Sequence, residues 1–168
     1  TILRHIHYEF IDACLGAPSP ISYKAQKEVF QDVLTETLGE ECDYEIVRQI
    51  HENLTEMAEE HKEDVVPFTI SKPEVKDLLE KSGAPAEKME RFDQIFDETA
   101  GENTAIMVPA IAETKKFAVK TPDVDIKINP DRLDLIETRI IDGTRYILIC
   151  ADEGVEVNGV SIHIREEE

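Results

Sequence analysis

Three groups of residues in this chain have types and spacings that could do chemistry. His51-Glu52 opens like a His-Glu-x-x-His motif, in which two imidazoles one helical turn apart hold zinc and the glutamate acts as general base. Position 55 is Thr, so the second imidazole is missing and the motif is incomplete. Asp123, Asp125 and Asp131, with Asp134 nearby, offer hard oxygen ligands of the kind that bind magnesium or calcium. They are the candidate metal residues, but not as a calcium loop: Lys127 stands at the fifth position and no glycine follows. Alternation with Val124, Ile126 and Ile128 explains the same aspartates as the solvent side of a strand. His5 and His7 would share a face on a strand, yet the pattern around them is helical, and on a helix they point nearly oppositely.

Nucleophilic chemistry finds less support. A reactive thiol needs an electropositive setting, whereas Cys42 lies in the acidic run Glu40-Glu41-Cys42-Asp43, which raises a thiol pKa. Cys150 falls inside a strand pattern, and Cys14 on a helical face. Three widely spaced cysteines without a Cys-x-x-Cys pair predict neither a zinc ribbon nor a disulfide framework. The chain contains no Gly-x-Ser-x-Gly, no phosphate-binding loop and no dinucleotide fingerprint, so no cofactor is expected. The balance is against an enzyme.

The elements that would position these residues change character near residue 113. Leu3, Ile6, Phe10 and Cys14 recur at helical spacing up to Gly16, Pro18 and Pro20. Ser22 caps a second helix with Val29, Phe30, Val33, Leu34 and Leu38 on its apolar face, and Gly39 ends it. Asp43 caps a third, striped by Ile46, Val47, Ile50, Leu54, Met57 and Ala58. After an extended link at 64–70, Ser71 and Glu74 form a capping box for a fourth helix ending at Gly83. A fifth, starting at Ala84-Pro85, carries Met89, Phe92 and Phe96 and stops at Gly101. This last pair has the outline of a DNA-reading helix-turn-helix, but its second helix is too acidic to dock in a groove.

From Glu102 to Glu113 the chain reads as a partly buried connector around Pro109, and short strands follow. Residues 135–141 and 144–150 flank Asp142-Gly143, the chemistry of a two-residue hairpin turn. Pairing Ile141 with Thr144 puts Ile136, Ile140, Ile147 and Ile149 on one face, expected to be core. Glu137, Arg139, Tyr146 and Leu148 fall on the other, mixed face. Asn158-Gly159 marks a second tight hairpin or a bulge, and residues 166–168 are expected to fray. The expected fold is therefore α+β: about five acidic helices followed by a small, mainly antiparallel sheet. The organisation is 1–101 helical and 102–168 β-rich, as two units or one compact domain.

Length and charge bound the function. The 168 residues suit one domain or two small ones, and 41% hydrophobic content supports a packed core. The net charge is −19; residues 115–168 hold eight Lys/Arg against twelve Asp/Glu, which leaves −15 on residues 1–114. Such a field repels nucleic acid phosphates and anionic lipid. There is no Trp and there are few aromatics, so no base-stacking platform is suggested. No run is long enough to span a membrane and no secretory signal opens the chain, which predicts a cytoplasmic location. A first residue of Thr inside a structured-looking stretch suggests a fragment of a longer protein.

Five stretches carry a family likeness: Leu38-Gly39-Glu40-Glu41-Cys42-Asp43-Tyr44-Glu45, Ile50-His51-Glu52-Asn53-Leu54, Lys120-Thr121-Pro122-Asp123-Val124, residues 136–143, and Val155-Glu156-Val157-Asn158-Gly159-Val160. Across nearly its whole length the chain resembles the C-terminal part of a bacterial family of unknown function, DUF4317. That resemblance implies no catalytic residues. A much weaker similarity is to the nucleoid-associated proteins of the NdpA type, through Lys120-Thr121 and the Asp142-Gly143 turn; fold-level analogy does not fix function. The leading expectation is a non-catalytic interaction or assembly module, with a protein partner or a second copy meeting the face of Tyr146 and Leu148. The alternatives are a nucleoid-associated role, with Lys115, Lys116, Lys120 and Lys127 as its basic cluster, and a metal-dependent enzyme whose site lies partly in a missing N-terminal region.

Overall fold

The computed structural model describes residues 22–151 and 154–164, and the first helix among them opens at Ser22. The helix expected around Leu3, Ile6, Phe10 and Cys14 lies outside the described residues, as does the expected fraying at 166–168. Contacts divide the chain into two compact units, one ending at Glu113 and the other beginning at Thr114. The molecule is mixed helix and strand, and its strands form small antiparallel pairs.

In the helical unit the three longest helices each start at a local cap. The Ala25 amide donates to Ser22 Oγ at the head of α1 (Tyr23–Leu38), and the Ile46 amide to Asp43 Oδ1 at the head of α2 (Tyr44–Glu60). Gly39, at φ 55, takes the left-handed turn that ends α1. Helix α3 (Lys72–Lys81) begins with a capping box: the Ser71 amide and hydroxyl both donate to Glu74 Oε2, at 2.7 and 2.6 Å. The expected fifth helix is two pieces, α4 (Ala86–Met89) and α5 (Phe92–Thr99). The interruption at Glu90-Arg91 has no Gly or Pro to announce it, and Met89, Phe92 and Phe96 are all buried on either side of it.

The Glu74 contact makes the start of α3 sensitive to acid. The Ser71 hydroxyl first, and its backbone N–H second, hold the Glu74 carboxyl below its ordinary value. A carboxylate depressed in the folded state contributes stability that is complete above its unfolded pKa and is lost as pH falls through the folded one. Ser71→Ala is expected to cost about 0.5–2 kcal/mol near neutral pH, the range for a lost N-cap. Urea titrations should show that deficit narrowing at about pH 3, below the unfolded carboxylate value. A deficit that does not change with pH contradicts the assigned contact.

The connector is more structured than its sequence suggests. Thr69–Ile70 (β1) pairs antiparallel with Ile106–Met107 (β2), and the Val108 amide donates to the Phe68 carbonyl at 2.9 Å. Gln26, buried on α1, accepts the Met107 N–H at 2.8 Å and so satisfies a backbone group inside the unit. The short helix α6 (Val108–Ile111) packs on α1 and α2. Residues 102–113, grouped by composition with the β-rich region, thus put Ile106, Val108 and Ile111 into the helical unit's core. That core also holds Phe30, Val33, Leu38, Ile50, Leu79 and Phe96. Lys72–Asp97 at 2.6 Å and Lys76–Asp93 at 2.7 Å tie α3 to α5 along its border.

The second unit consists of hairpins. Phe117–Lys120 (β3) pairs with Asp125–Ile128 (β4), Ile136–Ile141 (β5) with Thr144–Ile149 (β6), and Val155–Val157 (β7) with Val160–Ile162 (β8). Asp142 at φ 50 and Gly143 at φ 78 form the expected two-residue turn, and the register pairs Ile141 with Thr144. Asn158 at φ 49 and Gly159 at φ 80 make the last run a hairpin rather than a bulge.

Candidate interaction surface

The register of β5 and β6 is the expected one, but the burial is not. Ile136 is 5% exposed, whereas Ile140 is 73%, Ile149 is 55% and Ile147 is 36% exposed. The isoleucine face expected to be core is therefore largely open to solvent. A hydrophobic face becomes core only when a second layer covers it. The β5–β6 sheet has two strands, and among the described residues no third strand joins it. In this unit the buried large hydrophobics among the described residues are Phe117, Leu133 and Ile136, while Val157, Val160, Ile162 and Ile164 are also exposed. Ile140, Ile147 and Ile149 share one face of the hairpin by register, the kind of exposed apolar surface that interaction sites present.

Beside the hairpin lies an open groove of about 610 Å³, with Ile140, Ile147 and Tyr146 among its apolar walls and Thr121, Arg139 and Arg145 at its polar margin. Arg139 is held by Glu137 at 2.6 Å. Tyr146 and Leu148 sit together on the opposite face, Tyr146 exposed and Leu148 half-buried. Both faces of the hairpin thus present apolar side chains. Sequence reasoning assigned contact to one face and missed the other, because alternation says which residues share a face and not which face is covered.

The candidate metal residues are not brought together. Asp125, on β4, is paired with Lys120 at 3.2 Å, and Asp123 lies in the exposed turn before it. Asp131 lies in the first turn of a 3-10 segment (Pro130–Leu135), where its amide donates to Asn129 Oδ1. Among the described residues no three His, Cys, Asp or Glu side chains converge as a metal would require. His51 lies on α2, and burial lowers its pKa, so it is neutral over a wider pH range than a free imidazole. Its neighbour Glu52 pairs with Arg48 at 3.6 Å. At Cys42 local desolvation, with the Asp43 carboxylate second, pushes the thiol above its ordinary value, as the acidic run predicts. His5, His7 and Cys14 lie outside the described residues.

An acidic hollow of about 480 Å³ is lined by Glu41, Asp43, Glu45, Gln49 and Lys81. Asp43 is already committed there to the α2 cap, and Glu45 to Arg48 at 2.7 Å. Among the described residues no helix is long and apolar enough to cross a membrane.

No curated protein and no solved structure matches the chain. A family model does, over residues 3–160, which takes in the capped helices, the β1–β2 closure and the β3–β4 and β5–β6 hairpins. The chain belongs to the family DUF4317, a domain of unknown function.

Proposed function

We propose that this chain is a non-catalytic interaction or assembly module and that its contact surface is the β5–β6 hairpin. The observation that carries the reading is the open apolar face of Ile140, Ile147 and Ile149 beside the half-buried Leu148 and exposed Tyr146. Leaving such side chains in water forgoes about 1.5–3 kcal/mol for each one that a partner would fully bury. The nearly neutral hairpin also contrasts with the acidic remainder. Residues 136–149 carry Glu137, Arg139, Asp142 and Arg145, against −19 for the whole chain. The hairpin's own charges thus neither strongly repel nor select a partner by sign.

The test is site-specific photo-crosslinking in the cell that makes the protein. A benzophenone amino acid at position 147 should give a discrete adduct, and the same probe at Glu28, on the solvent side of α1, should give none. If position 147 yields no adduct beyond that control, the interaction reading is wrong.

A further inference from the structure

We infer that the partner at this surface is a second copy of the chain, joined edge to edge through β6 (Thr144–Ile149) so that two hairpins become one four-stranded antiparallel sheet. The inference rests on the interaction reading above and specifies its occupant.

The free edge follows from the turn. With the two-residue turn at Asp142-Gly143, the pair Ile141–Thr144 is a hydrogen-bonded one, and hydrogen-bonded pairs recur at every second position. The bond from the Cys150 amide to the Leu135 carbonyl at 2.8 Å continues that series. The intervening residues of β6, namely Arg145, Ile147 and Ile149, therefore direct their N–H and C=O groups outward. Among the described residues both strands leave an edge unpaired; β5 begins at the buried Ile136, whereas β6 has no buried residue and is the more open of the two. Proteins blunt such edges with proline, lysine or bulges. Thr-Arg-Tyr-Ile-Leu-Ile has no proline and no lysine, carries one charge, and pairs residue for residue with β5 without a bulge.

Charge and register select a second copy as the occupant. A two-fold axis at Ile147 sets that residue opposite its own copy, which is the isologous contact of a closed dimer. The same axis sets Arg145 opposite Ile149 and Tyr146 opposite Leu148. No like charges are then directly opposed, and each face gains apolar or aromatic–aliphatic cross-strand pairs. The hairpin's two acidic and two basic residues cancel, so the paired hairpins add no net repulsion of their own. A lone two-stranded hairpin is marginal in water, and four strands sharing an apolar face are not.

Sedimentation of the full chain should show a monomer–dimer equilibrium at concentrations up to about 100 μM, a Kd range well within reach of a small interface. Ile147→Lys should weaken dimerisation at least about tenfold, the equivalent of 1.4 kcal/mol, with the far-ultraviolet spectrum unchanged. As a second measurement, Ile147→Cys with Cys14, Cys42 and Cys150 replaced by Ser should oxidise to a covalent dimer. Across the proposed axis the two Cα atoms are about 5.5 Å apart, within disulfide reach. Thr138→Cys, on the other edge in the same background, should not cross-link. A chain monomeric throughout, or dimers that Ile147→Lys leaves intact, overturns the proposal. So does a photo-adduct at position 147 with a mass other than two chains, which leaves the interaction reading standing. No adduct at all removes both.

Discussion

Phe96→Ala is expected to destabilise the helical unit by about 3–5 kcal/mol, the range for deleting a buried phenylalanine ring. Phe96 is fully buried on α5, with the ring of Phe92 tilted against it at 5.7 Å. The loss has two parts: the transfer free energy of the ring, and a cavity that a close-packed surround fills only partly. Because whole domains are stable by only about 5–15 kcal/mol, the variant would sit near the edge of folding. Urea titration followed by helical circular dichroism reads the effect as a lower midpoint with an unchanged slope. Phe96→Leu, which keeps most of the volume, should fall well short of the alanine variant. An alanine variant within about 1 kcal/mol of the parent, an ordinary surface-like effect, would contradict the packing of α5.

The second large effect belongs to Gly143→Val. Gly143 sits at φ 78, and a Cβ built there meets no atom within 4 Å. The expected cost is therefore conformational, not steric crowding by neighbours. Holding a β-branched residue in the left-handed region costs on the order of 1–3 kcal/mol. Gly154→Val is the matched control: that glycine also has open space around it, and its φ lies outside the left-handed region. Gly143→Asn should be milder than Gly143→Val, because asparagine tolerates this conformation. Thermal melts of the variants decide the matter. Should Gly143→Val melt with the parent, the turn fails, and with it the β6 register on which the edge-to-edge dimer depends.

What the residues disclosed in advance was mostly local. Ser22, Asp43 and the Ser71/Glu74 pair marked helix starts because their side chains satisfy amides within the next turn. Asp142-Gly143 set a register because few residues accept two successive positive φ values. What stayed hidden was non-local. Nothing in Thr69-Ile70 names Ile106-Met107 as its partner, since two residues are too short for a periodic pattern. The solvent exposure of Ile140, Ile147 and Ile149 depends on a covering layer, which alternation within a strand does not encode. Nor could spacing reveal that Asp125 would turn to Lys120 instead of toward Asp123 and Asp131.

The bond from Met107 to Gln26 spans 81 positions, and the strand carrying it, with α6 behind it, closes the helical unit. A ribosome delivers residues in order, so α1 to α5 leave the exit tunnel before the piece that seals them. Until residues 106–111 emerge, the sites of Ile106, Val108 and Ile111 are vacant and the neighbouring apolar side chains face water or a chaperone. The starts of α1, α2 and α3 can form as they appear, because their caps are local, but closure must await the last tenth of the unit's sequence. Closure of this unit thus depends on a short apolar segment, Ile106 to Ile111, that arrives after the helices it seals.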